Sequence, residues 1–244
     1  MKKIFLIGML LAAASDLCAQ GNATVHIFPQ FADGVIVGGT TLTGYVSGVL
    51  VTNTTNQPST CNLQLYGSGL ANRIAGPSSL TLQASGSFGF VNSALGANNI
   101  QPLATGYATL TCTQPVAAAV LYAYVGLNGV LSAASVFSSP PATRAQLLAL
   151  QTTRLAFAIA NNTDASAQYQ LAAVNATGQT VASGTLTVAA RSNVAKFIDE
   201  VMTVPANFSG ALTVTSSGSA QFSLVGLLFS GDVFTSEPAV ILAP

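Results

Sequence analysis

The chain has 244 residues, only 6% of them charged, and a formal net charge of zero. Nucleic-acid binding needs clustered cations to displace counterions from phosphates, and beyond residue 20 the chain carries only Arg73, Arg144, Arg154, Arg191 and Lys196, scattered along its length. A polybasic membrane contact is excluded on the same ground.

Residues 1–19 read as an export signal. Lys2 and Lys3 form the positive end, Ile4 to Ala14 the apolar core, and Leu17-Cys18-Ala19 a cleavage site before Gln20. The apolar core is too short for a permanent membrane helix. Ser15-Asp16-Leu17 before Cys18 is a poor match to a lipoprotein signal. The remaining chain has room for two domains of about 100 residues each. Without Cys18 it holds two cysteines, Cys61 and Cys112. In an exported chain such a pair favours a disulfide, and closing that loop stabilises by about 4 kcal/mol in the chain-entropy model. No metal is expected from one Cys pair lacking a second His.

Next come short alternating segments. Thr24-Val-His-Ile-Phe28 is strand-like, with His26 facing away from Val25 and Ile27. Turn signals follow at Asp33-Gly34, Asn128-Gly129, Thr177-Gly178 and Gly231-Asp232. In Arg154 to Ala160, Leu155, Phe157 and Ile159 point one way and three alanines the other, the period of a half-buried strand. Lys196 to Met202 is the one plausible helical turn. Val and Thr are abundant, as strands prefer.

The segments repeat. Gly106 to Cys112, an apolar run and a turn match Gly210 to Ser216, an apolar run and a turn, with starts 104 positions apart. Upstream, Val49 to Asn53 matches Phe157 to Asn161, and Leu80-Thr-Leu82 answers Leu186-Thr-Val188. Cys61 and Cys112 fall where the second copy carries Tyr169 and Ser216. The expected fold is therefore all-β: two tandem antiparallel β-sandwiches of the immunoglobulin or fibronectin III kind. The expected boundaries are 20–139 for the first, 140–144 for a linker at Pro140-Pro141, and 145–244 for the second. The second sandwich would hold its sheets together by packing alone.

Val116 to Phe137 is uncharged and long enough for a membrane helix, but Gly126-Leu-Asn-Gly129 within it argues for a hairpin. An outer-membrane barrel would carry aromatic girdles, whereas aromatics are 7% here and Trp is absent.

Phe28-Pro-Gln-Phe-Ala-Asp-Gly34, Ala195-Lys-Phe-Ile-Asp-Glu200 with Phe208 to Val214, and the closing Phe234-Thr-Ser-Glu-Pro238 resemble segments of an uncharacterised family of secreted bacterial proteins. The resemblance implies an exported tandem sandwich and no particular chemistry.

His26 is the only histidine, and Asp33 is its nearest acid. No nucleophile elbow surrounds a candidate serine. Asp33, Asp164 and Asp232 sit in turn contexts, and Asp199-Glu200 in the helical turn. Neither a calcium loop nor a phosphate-cradling loop is present, so no cofactor is expected. Tyr122 and Tyr124 share one strand face and offer sugar stacking if both are exposed. The candidate ligand contacts are thus Tyr122, Tyr124, His26 and Asp33. The expected function is a non-enzymatic exported module, structural, adhesive or protein-binding. Self-association through weakly charged edge strands is a variant. A carbohydrate-binding module on an envelope glycan is the alternative. A hydrolase would need His26, Asp33 and a hydroxyl to converge.

Overall fold

A computed structural model describes residues 22–38, 41–70, 73, 78–91, 101–126 and 129–243. The expected export signal lies outside them. The fold is all-β, with named strands paired antiparallel throughout.

The first unit comprises β1 (Ala23–Gly38), β2 (Thr41–Asn53), β3 (Ser59–Tyr66), β4 (Ser79–Leu82), β5 (Ser87–Val91), β6 (Ala104–Gly126) and β7 (Gly129–Phe137). All seven belong to one sheet, ordered β4-β3-β6-β1-β2-β5 with β7 on β6. Two separate sheets were expected. They are joined because β6, at 23 residues, runs through both. Its first half pairs with β1 and β3, its second with β2 and β7. The sheet thus curls back on itself and is nearly barrel-like.

β1 changes partner the same way, from β6 at Asp33 to β2 at Gly34. Asp33-Gly34 is therefore a bend inside a strand and not a turn between strands. Gly34 has φ +118°, and a Cβ there would lie 2.4 Å from the Pro102 carbonyl oxygen. Only glycine fits that backbone.

The second unit comprises β8 (Arg144–Ala149), β9 (Arg154–Asn161), β10 (Ala167–Asn175), β11 (Thr180–Val188), β12 (Ser192–Phe197), β13 (Gly210–Ser216), β14 (Ser223–Ser230), β15 (Val233–Pro238) and β16 (Val240–Ile241). They form two sheets, β11-β10-β13-β8-β16 and β12-β9-β14-β15. β13 and β14 correspond to the two halves of β6. Here the path is broken between Ser216 and Ser223, so the sheets separate. The expected helical turn is a 3-10 turn over Ile198–Glu200.

Both apolar runs are hairpins. Gly126 pairs with Gly129, and Ser230 with Val233. No helix among the described residues is long and apolar enough to cross a membrane.

One device is built twice. Asn53 and Asn161, each at the end of a strand, are fully buried. The Asn53 amide donates to the carbonyls of Gln57 (2.7 Å) and Gln83 (3.0 Å), while its oxygen accepts the N–H and hydroxyl of Thr55. The Asn161 amide donates to Ala165 (2.8 Å), Val188 and Ala189 (both 3.1 Å), and its oxygen accepts from Thr163. Each amide closes a loop onto the strand that returns beside it.

Cys61 and Cys112 form a disulfide. They are direct neighbours across β3 and β6, so the bond staples two strands of one sheet and does not bridge two sheets. Tyr169 and Ser216 occupy the same cross-strand register in the copy. There the fully buried Tyr169 packs edge-on against Phe222 at 5.1 Å.

β9 differs from expectation in what covers it. Leu155, Phe157 and Ile159 enter the core of the second unit. The alanine face is buried as well: Ala158 joins the core of the first unit, and Ala160 packs with Ile27 and Tyr107. β14 behaves alike, with Leu224 and Leu228 on one side and Val225 and Leu227 on the other. The four-stranded sheet is a middle layer. Nor is the Pro140-Pro141 segment a free spacer. Beside it, Ser139 donates its N–H to Ile27 (2.9 Å) and its hydroxyl accepts the N–H of Leu224 (3.1 Å).

Replacing Asn161 with Ala strands buried carbonyls and an N–H, and is expected to cost about 3 kcal/mol; Asn53→Ala should cost a similar amount. Urea midpoints of both variants check the equivalence. Cys112→Ser removes about 4 kcal/mol of loop constraint. Because the two units share a core, calorimetry should show one transition moved down as a whole. A lowered transition for residues 23–137 beside an unmoved one would contradict the shared core.

Candidate functional site

His26 is a structural group. It is 1% exposed and points inward beside Phe28. Its Nε2 lies 3.0 Å from the Val116 carbonyl and 3.1 Å from that of Ala23. Carbonyls only accept, so Nε2 carries the proton, and Nδ1 accepts from the Ser138 hydroxyl at 2.9 Å. Burial lowers the pKa from its ordinary 6.5, and the two carbonyl bonds oppose that shift.

Asp33 is also buried. Arg73 lies 3.3 Å from its carboxylate, and the same guanidinium donates to the carbonyls of Asp33, Gly69 and Pro102. Burial raises the Asp33 pKa, with Arg73 pulling the other way. The pair pins the bend of β1. Seven residues along one strand put His26 and Asp33 roughly 20 Å apart. They do not converge.

Asp164, Asp199 and Glu200 have local partners. Asp199 accepts two bonds of about 3 Å from Arg154, whose guanidinium lies 3.6 Å from the centre of the Phe197 ring. Asp164 accepts from Arg191 at 2.8 Å. Glu200 accepts the Phe197 N–H at 2.6 Å and lies 3.9 Å from Lys196. Among the described residues no three His, Cys, Asp or Glu gather around a common point.

Tyr122 is only 5% exposed, so it does not offer an open stacking face. It stacks on Tyr45 at 5.0 Å and meets Phe234 edge-on. Burial pushes its phenol well above the usual range. Tyr124 is half-buried beside Tyr45.

Tyr45 and Tyr122 wall a cleft at the seam between the units, about 200 Å³ in volume. Ala156 and Ala158 form its floor, and Phe197 and Phe229 face the tyrosines. Gln30, Lys196 and Glu200 line the remainder. Asn193 anchors the seam by donating to the carbonyls of Gly106 (2.8 Å) and Pro29 (3.0 Å) and to the Gln30 amide oxygen. Tyr107 donates to Asn162 at 2.9 Å from the other side. An aromatic cleft with an amide, a cation and an anion can hold an apolar ring or side chain and fix its polar edge. A second depression of about 350 Å³ on the five-stranded sheet is lined by Gln170, Ser183, Thr185, Thr213 and Thr215. It offers no aromatic or charged group, so the seam cleft is the stronger candidate.

Gln30, Tyr45, Phe197 and Phe229 do not stand out in the sequence as site residues. The signals that point to them are the alanine face of β9 and the unbroken apolar run of β14, both marks of a sheet covered twice. No family model matches the chain, and no curated protein matches it. The family resemblance of its motifs has no support from that side.

The pH dependence of stability follows from His26. Its folded pKa lies below the unfolded one, so its contribution is full above about pH 6.5 and is lost as pH falls toward the folded value. Asp33 has the opposite sign: its raised pKa disfavours the fold at neutral pH, and that penalty is relieved on acidification. The urea midpoint should therefore drop between about pH 7 and 5. His26→Gln should flatten that drop; an equally steep profile in the variant would assign it elsewhere.

Proposed function

We propose that the protein is an exported, non-enzymatic module of structural, adhesive or protein-binding type, made of two immunoglobulin-like sandwich units. The observation that carries this reading is where the reactive groups go. His26 and Asp33 are each held in the fold by buried partners, and Asp164, Asp199 and Glu200 by local bonds. The seam cleft adds a surface suited to binding. Its support for export is the amino-terminal segment of the sequence, and for the sandwich type the duplicated strand order.

A carbohydrate ligand is the second reading, favoured by the half-buried Tyr45 beside Gln30, Lys196 and Glu200 in the cleft. In that case Tyr45 replaces the Tyr122–Tyr124 pair as the stacking platform.

Saturable binding of the purified protein to envelope proteins immobilised from the producing cell is expected, weakened several-fold by Tyr45→Ala and Phe197→Ala. Glycan-array signal lost in the same two variants would select the carbohydrate reading. Turnover of ester, amide or glycoside substrates, abolished by Glu200→Gln or Asp199→Asn, would overturn the non-enzymatic reading.

A further inference from the structure

The middle sheet runs β12-β9-β14-β15, and its two edges are treated differently. At one edge Phe234 of β15 donates its N–H to the Ser132 hydroxyl of β7 at 3.1 Å, so the first unit closes that side. At the other, β12 pairs with β9 alone among the described strands. Register fixes which backbone groups β12 leaves outside. In an antiparallel pair, opposed residues alternate between bonded and non-bonded, and successive residues of a strand aim their N–H and C=O at opposite edges. The Phe234 N–H points away from β14, so Phe229, which lies opposite it, bonds to β9. Stepping by twos along β14 and β9 makes Val225 and Ala158 a bonded pair. Ala158 thus directs its groups to β14, and Ala195, opposite it on β12, turns its own N–H and C=O outward. Phe197 obeys the same parity: its N–H goes to the Glu200 carboxylate. Asn193, on the other side, is half-buried and its side chain grips the first unit. Ala195 lies exposed between them, and its backbone N–H and C=O have no partner among the described residues.

That edge is also the mouth of the seam cleft. Of the residues lining the cleft, only Ala195, Lys196 and Glu200 are exposed. Ala195 shares the sheet face of Ala158 on the cleft floor. We propose that an extended peptide segment of a partner protein adds to β12 as a short antiparallel strand and places an aromatic side chain in the cleft. The proposal rests on the protein-binding reading and specifies the partner's chemistry. An outward N–H and C=O on one strand residue match a peptide backbone. The partner residue opposite Ala195 forms a hydrogen-bonded pair with it, and its side chain falls on the same face as that of Ala195, over the cleft. Tyr45, Phe197 and Phe229 there favour a ring, and about 200 Å³ gives room for one. Glu200 at one end and the Asn193 contacts at the other keep the added strand short, so backbone and side chain must act together.

A labelled Thr-rich peptide with one central Phe, titrated into the purified protein, tests the proposal. Binding should saturate and should slow hydrogen exchange of the Ala195 N–H, read by NMR. Methylating the backbone nitrogen of the central Phe removes a bond to the Ala195 carbonyl and should weaken binding about tenfold, as should replacing that Phe with Gly. Ala195→Pro removes the protein's own donor at an edge where β9 does not use it, and should abolish binding while keeping the thermal transition. The methylated peptide probes the same pairing on the unaltered protein should the proline variant fail to fold. No saturable binding of the peptide, equal affinity of its methylated form, or an Ala195 amide that stays unprotected in the complex would each overturn the proposal. If Tyr45→Ala weakens binding to immobilised envelope proteins and Ala195→Pro does not, strand addition is overturned and the protein-binding reading stands. Absence of any saturable binding to envelope proteins would remove that reading, and this proposal with it.

Discussion

The middle sheet is buried on both faces, and the rest of the arrangement follows from that constraint. A strand covered twice must have two apolar faces and still let both neighbours approach. β9 meets this with large side chains toward its own unit and alanines toward the other. The alanines bring the first unit close enough for Tyr107 to reach Asn162 and for Asn193 to reach Gly106 and Pro29. Magnitudes decide what holds the seam. Burying a Val, Leu or Phe side chain stabilises by about 1.5–3 kcal/mol, against about 0–1 kcal/mol for an exposed ion pair. Val225, Leu227 and Phe234 therefore dominate, since each ion pair among the described residues lies within one unit. The polar bonds fix where the two layers meet.

Duplication preserved the backbone solutions and varied the side-chain ones. The asparagine clamp is the same in both units because the geometry it satisfies is the same: a strand end, a short loop and a returning strand whose carbonyls all need a donor. Even the strained residue that follows is shared, at Ser85 with φ 58° and Arg191 with φ 49°. Each donates its N–H to the clamp threonine's carbonyl. The cross-strand position beneath the clamp was free to change. One unit fills it with a disulfide, the other with a buried tyrosine.

Periodicity in the sequence reveals which residues share a face but not what lies over it. That separates the parts of the fold that were legible from those that were not. The alternation in β9, the hairpins after Gly126 and Ser230, and the Cys61–Cys112 pair are local or pairwise facts, and they read through. His26 shows the limit. It does face away from Val25 and Ile27, but Ile27 is 4% exposed and Val25 is 52% exposed, so facing away from apolar neighbours did not mean facing water. Asp33-Gly34 misled for a related reason. A glycine with positive φ serves a bend within a strand as well as a turn between strands, and only the partner switch of β1 separates the two. The cleft was hidden because β2 and β6 of the first unit wall it on one side and β12 and β14 of the second unit on the other, and the two sides meet only across the seam.

Low charge places its own demand on the outer faces. Arg73, Arg154, Arg191 and Lys196 all have carboxylate partners, which leaves few charges to hold water over wide sheets. The outer face of the β3 and β6 region solves this with hydroxyls and amides: Asn62 and Gln64 lie across from Thr111 and Thr109. The second unit repeats the solution with Gln170 across from Thr185 and Thr215. Such side chains suit strands and hydrogen-bond to water, so a wet face can dispense with charge. The β2-β6-β7 face departs from this rule. It presents Leu50, Leu121 and Phe137 beside alanines that are themselves buried. Where threonine and glutamine keep the other outer faces wet, small alanines between larger neighbours keep the exposure of this one low.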